Sequence, residues 1–115
     1  MLVELHEEQD LNPLFERSQT APVVFFKHST QCSRSYEAHE ELLSFVEKHP
    51  DITCGMIQVI EERELSDALE ERFGIRHESP QAILVFRGSP VWHANHWKVT
   101  AKGLEDAIAA QKVQS

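Results

Sequence analysis

Residues 25–35 read FFKHSTQCSRS: an apolar run, a short polar turn, one cysteine, then the start of a helical pattern. Cys32 therefore falls where a strand hands over to the first turn of a helix. At that position unpaired backbone N–H groups and the helix macrodipole favour negative charge. A thiol placed there loses its proton more readily than a free one, and the thiolate is the nucleophile. Three positions on, where a C-x-x-C redox pair has its second cysteine, stands Ser35. The spacing predicts thiol chemistry carried by a single cysteine.

A lone cysteine is often just a small buried hydrophobe. That reading needs apolar neighbours, whereas the flanks here are Ser29, Thr30, Gln31, Ser33, Arg34 and Ser35. Each unit of pKa depression requires about 1.4 kcal/mol of differential stabilisation. A helix end supplies about 0.3–1 kcal/mol, so other groups must add to it. Lys27 and Arg34 can contribute positive potential, and Ser35 with the backbone amides can contribute hydrogen bonds. His28 and His77 flank the two halves of the site. Either imidazole could tune the Cys32 pKa when protonated or carry a proton to the leaving thiol, or be packed with no such role. Cys54 lies inside the apolar stretch Ile52–Ile60. It is expected to be a core thiol, because resolving Cys32 would need a Cα separation of about 4.4–6.8 Å.

The elements that position these residues can be read from pattern. Asn12-Pro13 is expected to cap and open a first helix bearing Leu14 and Phe15. Val23–Lys27 suits a buried central strand bounded by Ala21-Pro22. From Cys32 to Glu47, Ala38, Leu42, Phe45 and Val46 keep helical spacing until His49-Pro50. Ile52–Ile60 is expected to be a second strand, followed by a helix with Leu65, Ala68, Leu69 and Phe73 closed by Gly74. Ala82–Phe86 is a third strand. Arg87-Gly88-Ser89-Pro90 is turn chemistry, and Val91–Trp97 returns as an antiparallel partner. Thr100 can cap a last helix carrying Leu104, Ile108 and Val113. The expected order is α-β-α-β-α-β-β-α, an α/β chain with a mixed four-stranded sheet.

The 115 residues fit one domain, 1–115, and the 41% apolar share fits a globular chain. No stretch approaches the roughly 18 apolar residues of a membrane span, and the acidic start MLVELHEEQD lacks the form of a signal peptide. The expected location is cytoplasmic. Nineteen acidic against eleven basic residues, a net charge of −8, disfavour nucleic acid and anionic membranes as partners. Two cysteines make no disulfide framework. His93 and His96, three apart on an expected strand, point to opposite faces, so no metal site is expected. The runs at Glu61–Glu64 and Glu70–Arg72 are expected to be solvated helix faces. Trp92 and Trp97 could finish the core or line an interface.

The element order, with a cysteine opening the helix after the first strand and a proline before the third, resembles the thioredoxin fold. The words FFKHSTQC, VIEERELSDAL, GIRHESPQAILVFRG and VWHANHW narrow this. Over about Phe15 to Ala109 the chain resembles the YtxJ-type bacillithiol-system redox proteins, the monothiol bacilliredoxins. The resemblance implies removal of bacillithiol, a glucosamine-bearing thiol with a malate group, from protein mixed disulfides. It maps the reactive cysteine onto Cys32 and the usually cis proline onto Pro80. Three positions depart from the family's usual words: Ser33 stands in place of proline, Arg34 in place of a small aliphatic residue, and Asn95 in place of serine.

On this reading Cys32 is the catalytic residue, and Thr30, Ser33, Arg34, Ser35, Ser79 and Pro80 form the substrate site. Arg34 can contact a carboxylate of the thiol. Bacillithiol is a co-substrate, bacillithiolated proteins are the partners, and no tightly bound cofactor is expected. Two other readings remain open. One keeps the chemistry with glutathione or coenzyme A. The other makes the chain a non-catalytic redox-sensing or adaptor domain.

Overall fold

The computed structural model describes residues 1–29 and 33–114. Five strands among them form one mixed sheet in the order β1-β3-β2-β4-β5: β1 Leu2–Glu4, β2 Val23–His28, β3 Thr53–Gln58, β4 Gln81–Phe86 and β5 Ser89–Asn95. β1 and β2 both run parallel to β3, while β4 is antiparallel to β2 and to β5. The helices are α1 Asn12–Ser18, α2 Ser33–Lys48, α3 Arg63–Phe73 and α4 Ala101–Gln114.

The edge strand β1 is the difference from the expected four-stranded sheet. It is three residues long, too short to show a period of two, and its register against Cys54–Met56 is set by its partner. Two boundaries also moved. Asn12 is the first residue of α1 rather than its cap, because a 3-10 turn at Glu8–Leu11 already brings the chain in helically and leaves Leu11 at the N-cap. The last strand ends at Asn95. His96–Lys98 forms a 3-10 turn that His96 enters at φ 55, a left-handed value for a non-glycine residue.

β2 lies at the centre and all six of its residues are buried. Its alternation divides the core. Val24 and Phe26 join Leu42, Phe45, Leu84 and Leu104 on the α2/α4 face. Val23 and Phe25 join Leu14, Phe15, Leu65 and Leu69 on the α1/α3 face. Each fully buried large side chain contributes roughly 1.5–3 kcal/mol, so these two clusters dominate the fold. Gly55 on β3 lets α1 approach closely, since a Cβ there would sit 2.6 Å from Leu5 and Leu14. Positive φ at both Arg87 (55°) and Gly88 (77°) makes the β4–β5 hairpin a type I′ turn. Gly74, at φ 67, ends α3 in the left-handed region, and Thr100 Oγ1 accepts the Gly103 N–H at the start of α4. No helix among the described residues is long and apolar enough to cross a membrane.

Candidate active site

The carboxyl ends of β2 and β3, the first turn of α2 and the segment before β4 meet at one edge of the sheet. Thr30 and Cys32 lie outside the described residues, as do the side chains of Ser33 and Arg34. Ser33, which directly follows Cys32 in sequence, is the first residue of α2. Ser35 is fully buried, and its Oγ accepts the Ser29 N–H at 3.2 Å. That bond ties the end of β2 to the first turn of α2.

Ser79 approaches from the other side, its Oγ 3.5 Å from that of Ser35. The Ser79-Pro80 peptide bond is cis. The structure thus brings together Ser35, Ser79 and Pro80, residues 44 and 45 apart in sequence. The segment holding them is pinned at several points. Pro80 O accepts the His96 N–H at 2.8 Å, and His96 Nε2 lies 3.3 Å from Glu78 Oε2. Gln81, fully buried, donates through Nε2 to Arg76 O and to Asn95 Oδ1, both at 2.9 Å. Asn95, one of the departures from the family's words, is therefore a bracket for this loop.

The two histidines sit on opposite faces of the sheet. His28 is 5% exposed, with its ring 5.6 Å from that of Phe26 and 4.5 Å from that of His39. Burial first, then the neighbouring His39, holds its pKa below the ordinary imidazole range. Its Nδ1 is buried with no hydrogen-bond partner among the described residues. His77 is lowered too, by burial first and then by Lys27. Both imidazoles are therefore uncharged at neutral pH. They can offer a thiolate a hydrogen bond or a proton route rather than a positive charge.

Lys27, expected as a source of positive potential, also packs at this edge. It is fully buried on β2, with Nζ 3.3 Å from His77 Nδ1, and burial lowers its pKa. A lysine inside the apolar word FFKH was the available signal. Cys54, by contrast, is fully buried in the α2/α4 core with its thiol pushed up to about 12 by burial, which makes it inert. Trp92 packs against that core, while Trp97 is 69% exposed beside the site. His93 lies on β5 and His96 opens the 3-10 turn after it, and no group of three or more metal-binding side chains gathers among the described residues.

A family model described as Monothiol bacilliredoxin BrxC matches residues 3–104. The chain belongs to the monothiol bacilliredoxin family. Among solved structures, one with a thioredoxin fold is similar at TM-score 0.84 and 27% identity, covering 92% of each chain. Thioredoxin from Fasciola hepatica is similar at TM-score 0.77 and 13% identity, covering 94% of this chain and 97% of that one. A Schistosoma mansoni thioredoxin reaches TM-score 0.74 at 22% identity, covering 95% and 96%. These two similarities show the thioredoxin fold. Family and fold together make this bacilliredoxin-family chain a thiol oxidoreductase.

Proposed function

We propose that the chain is a cytoplasmic monothiol oxidoreductase that removes bacillithiol from protein mixed disulfides through Cys32. The family match over residues 3–104 carries this reading. The Cys32 thiolate attacks the bacillithiol sulfur of a protein–S–S–bacillithiol bond. The protein leaves as a thiolate that takes up a proton, and Cys32 now holds bacillithiol in a disulfide. A second bacillithiol thiolate attacks that sulfur, which releases Cys32 and forms bacillithiol disulfide. Ser35 supports the one-cysteine form of this scheme. It has no thiol to resolve the adduct, so release must be intermolecular. Its Oγ is already engaged by the Ser29 N–H, and its hydroxyl proton remains for a neighbouring acceptor. Thr30, Ser33, Arg34, Ser79 and Pro80 are the proposed substrate-binding residues, with His28 and His77 as proton routes.

The test is an intact-mass measurement. Incubation with bacillithiol disulfide should add one bacillithiol to the wild type and to Cys54→Ser, and none to Cys32→Ser. Excess bacillithiol should then clear the adduct within the time of turnover. A permanent adduct would make the chain a sensor. An adduct formed as fast with glutathione disulfide would shift the co-substrate to glutathione.

A further inference from the structure

His96 leads from β5 into the 3-10 turn His96–Lys98, and its backbone is left-handed, at φ 55. Among the described residues, the other non-glycine position with positive φ is Arg87, which belongs to the type I′ hairpin. No hairpin stands at His96. A residue with a Cβ is disfavoured in that region and stays there when its surroundings over-determine it.

What holds it is the segment before β4. Gln81 and Asn95 are the last residues paired in the β4–β5 register. His96 adds one bond beyond them, its N–H donating to Pro80 O at 2.8 Å. Proline has no N–H to return, so His96 is the donor of this pair. The imidazole then reaches back along the segment, with Nε2 3.3 Å from Glu78 Oε2. The Trp97 ring backs it, stacked at 5.8 Å and 28°. His96 therefore grips both sides of Ser79: Pro80 after it through the backbone, and Glu78 before it through the ring. Ser79 is the residue whose Oγ lies 3.5 Å from that of Ser35. Asn95, one residue earlier, reaches Arg76 O through Gln81, so consecutive residues of the VWHANHW word hold this segment.

We propose that His96 is a positioning residue for thiol exchange. It fixes the approach of Ser79 and Pro80 to Ser35, and acts on the reaction through them. The inference rests on the thiol-exchange reading. Both partners of the His96–Glu78 contact are partly exposed, and an ion pair of that kind contributes little to stability. Its removal therefore separates positioning from folding.

His96→Gly is the variant to make, because it keeps the N–H, suits the left-handed backbone and removes the ring. The urea midpoint should stay unchanged or rise. The substrate is a synthetic peptide whose one cysteine is held as a mixed disulfide with bacillithiol, set against bis(2-hydroxyethyl) disulfide. The ratio of kcat/KM on the first to that on the second should fall about two- to tenfold through KM, the scale of one lost hydrogen-bonding contact. Glu78→Ala should reproduce the loss, and the double variant should be no worse than either single one. The pH profile of Cys32 alkylation by iodoacetamide, which needs no substrate wall, should not move. An unchanged ratio overturns the proposal, as do additive losses in the double variant. A lowered urea midpoint with equal loss on both disulfides would make His96 merely structural, and a displaced alkylation profile would put its action on the thiol itself. Either result overturns it. If the wild type turns over neither disulfide, the thiol-exchange reading fails. Amide signals of Ser35 and Ser79 in the 15N-labelled chain then decide the rest: they should shift in His96→Gly, and unmoved signals overturn the clamp whether or not turnover is seen.

Discussion

The two faces of β2 begin alike and end differently. On one face Val24 and Phe26 enter the α2/α4 core and the row finishes at His28, stacked beside His39. On the other, Val23 and Phe25 enter the α1/α3 core and the row finishes at Lys27, against His77. The apolar part of each row builds the fold and its polar end reaches the edge where the thiol chemistry is proposed. A buried polar group without full partners costs stability. His28 Nδ1 has none among the described residues, and Lys27 has an imidazole rather than a carboxylate. The strand thus gives up stability at the site's edge and recovers it two residues earlier.

The largest effects should come from the apolar part. Phe25→Ala and Phe26→Ala each remove a fully buried ring and should each cost about 3–5 kcal/mol in urea denaturation. Phe25 has Phe15 and Phe73 at ring distances of 5.5 and 5.9 Å to close round the void, so its loss should fall in the lower half of that range. Phe26→Ala unfolding no more of the protein than a surface change would break the comparison, because the α2/α4 face would then not depend on β2.

Much of this division was legible in the sequence. A run of four apolar residues bounded by proline and polar turn residues announces a central strand, and the switch to helical spacing after Cys32 announces α2. The strand β1 was not legible, since three residues carry no period. At the site, the family resemblance and not the spacing set Ser35 and Ser79 in one expected place. Ser35 and Ser79 meet across 44 residues, and Lys27 meets His77 across 50. Neither approach leaves a local spacing to read. Lys27 leaves a compositional mark, a charge inside an apolar strand, which reads equally as a source of potential and as a packed partner.

The polar ends should respond oppositely to the apolar part. Lys27→Met keeps the length of the side chain and removes a buried amine, while Ser66 Oγ at 3.2 Å can still satisfy His77 Nδ1. Stability should be unchanged or rise by about 1–2 kcal/mol, as when buried ionic groups are exchanged for apolar ones of similar volume. Turnover of bacillithiol disulfide should fall severalfold, because His77 loses one of the two groups that face its Nδ1. A loss of stability above about 1 kcal/mol would instead make Lys27 a structural member of the α1/α3 face.

The smallest effect separates the two imidazoles. Both have folded-state pKa values held below the ordinary value of about 6.5, so below that pH the unfolded chain binds more protons than the folded one. Each histidine therefore leaves stability intact above about pH 7. Each removes it as pH falls through 6.5, with no further loss below its folded value. The slope of each is at most about 1.4 kcal/mol per pH unit. The faces differ in what opposes the shift. At His77, Lys27 disfavours the protonated ring and three carboxylates, Glu70, Asp67 and Glu78, favour it, whereas at His28 the nearby His39 disfavours it and one carboxylate, Glu61, with the Ser35 backbone, favours it. His28→Phe should consequently flatten the pH dependence of urea stability between pH 7 and 5 more than His77→Gln does. Equal flattening would mean that burial alone sets both shifts and that the carboxylates around His77 do not reach its ring. A larger effect at His77 would reverse the comparison, placing the less compensated polar end of β2 on the α3 face.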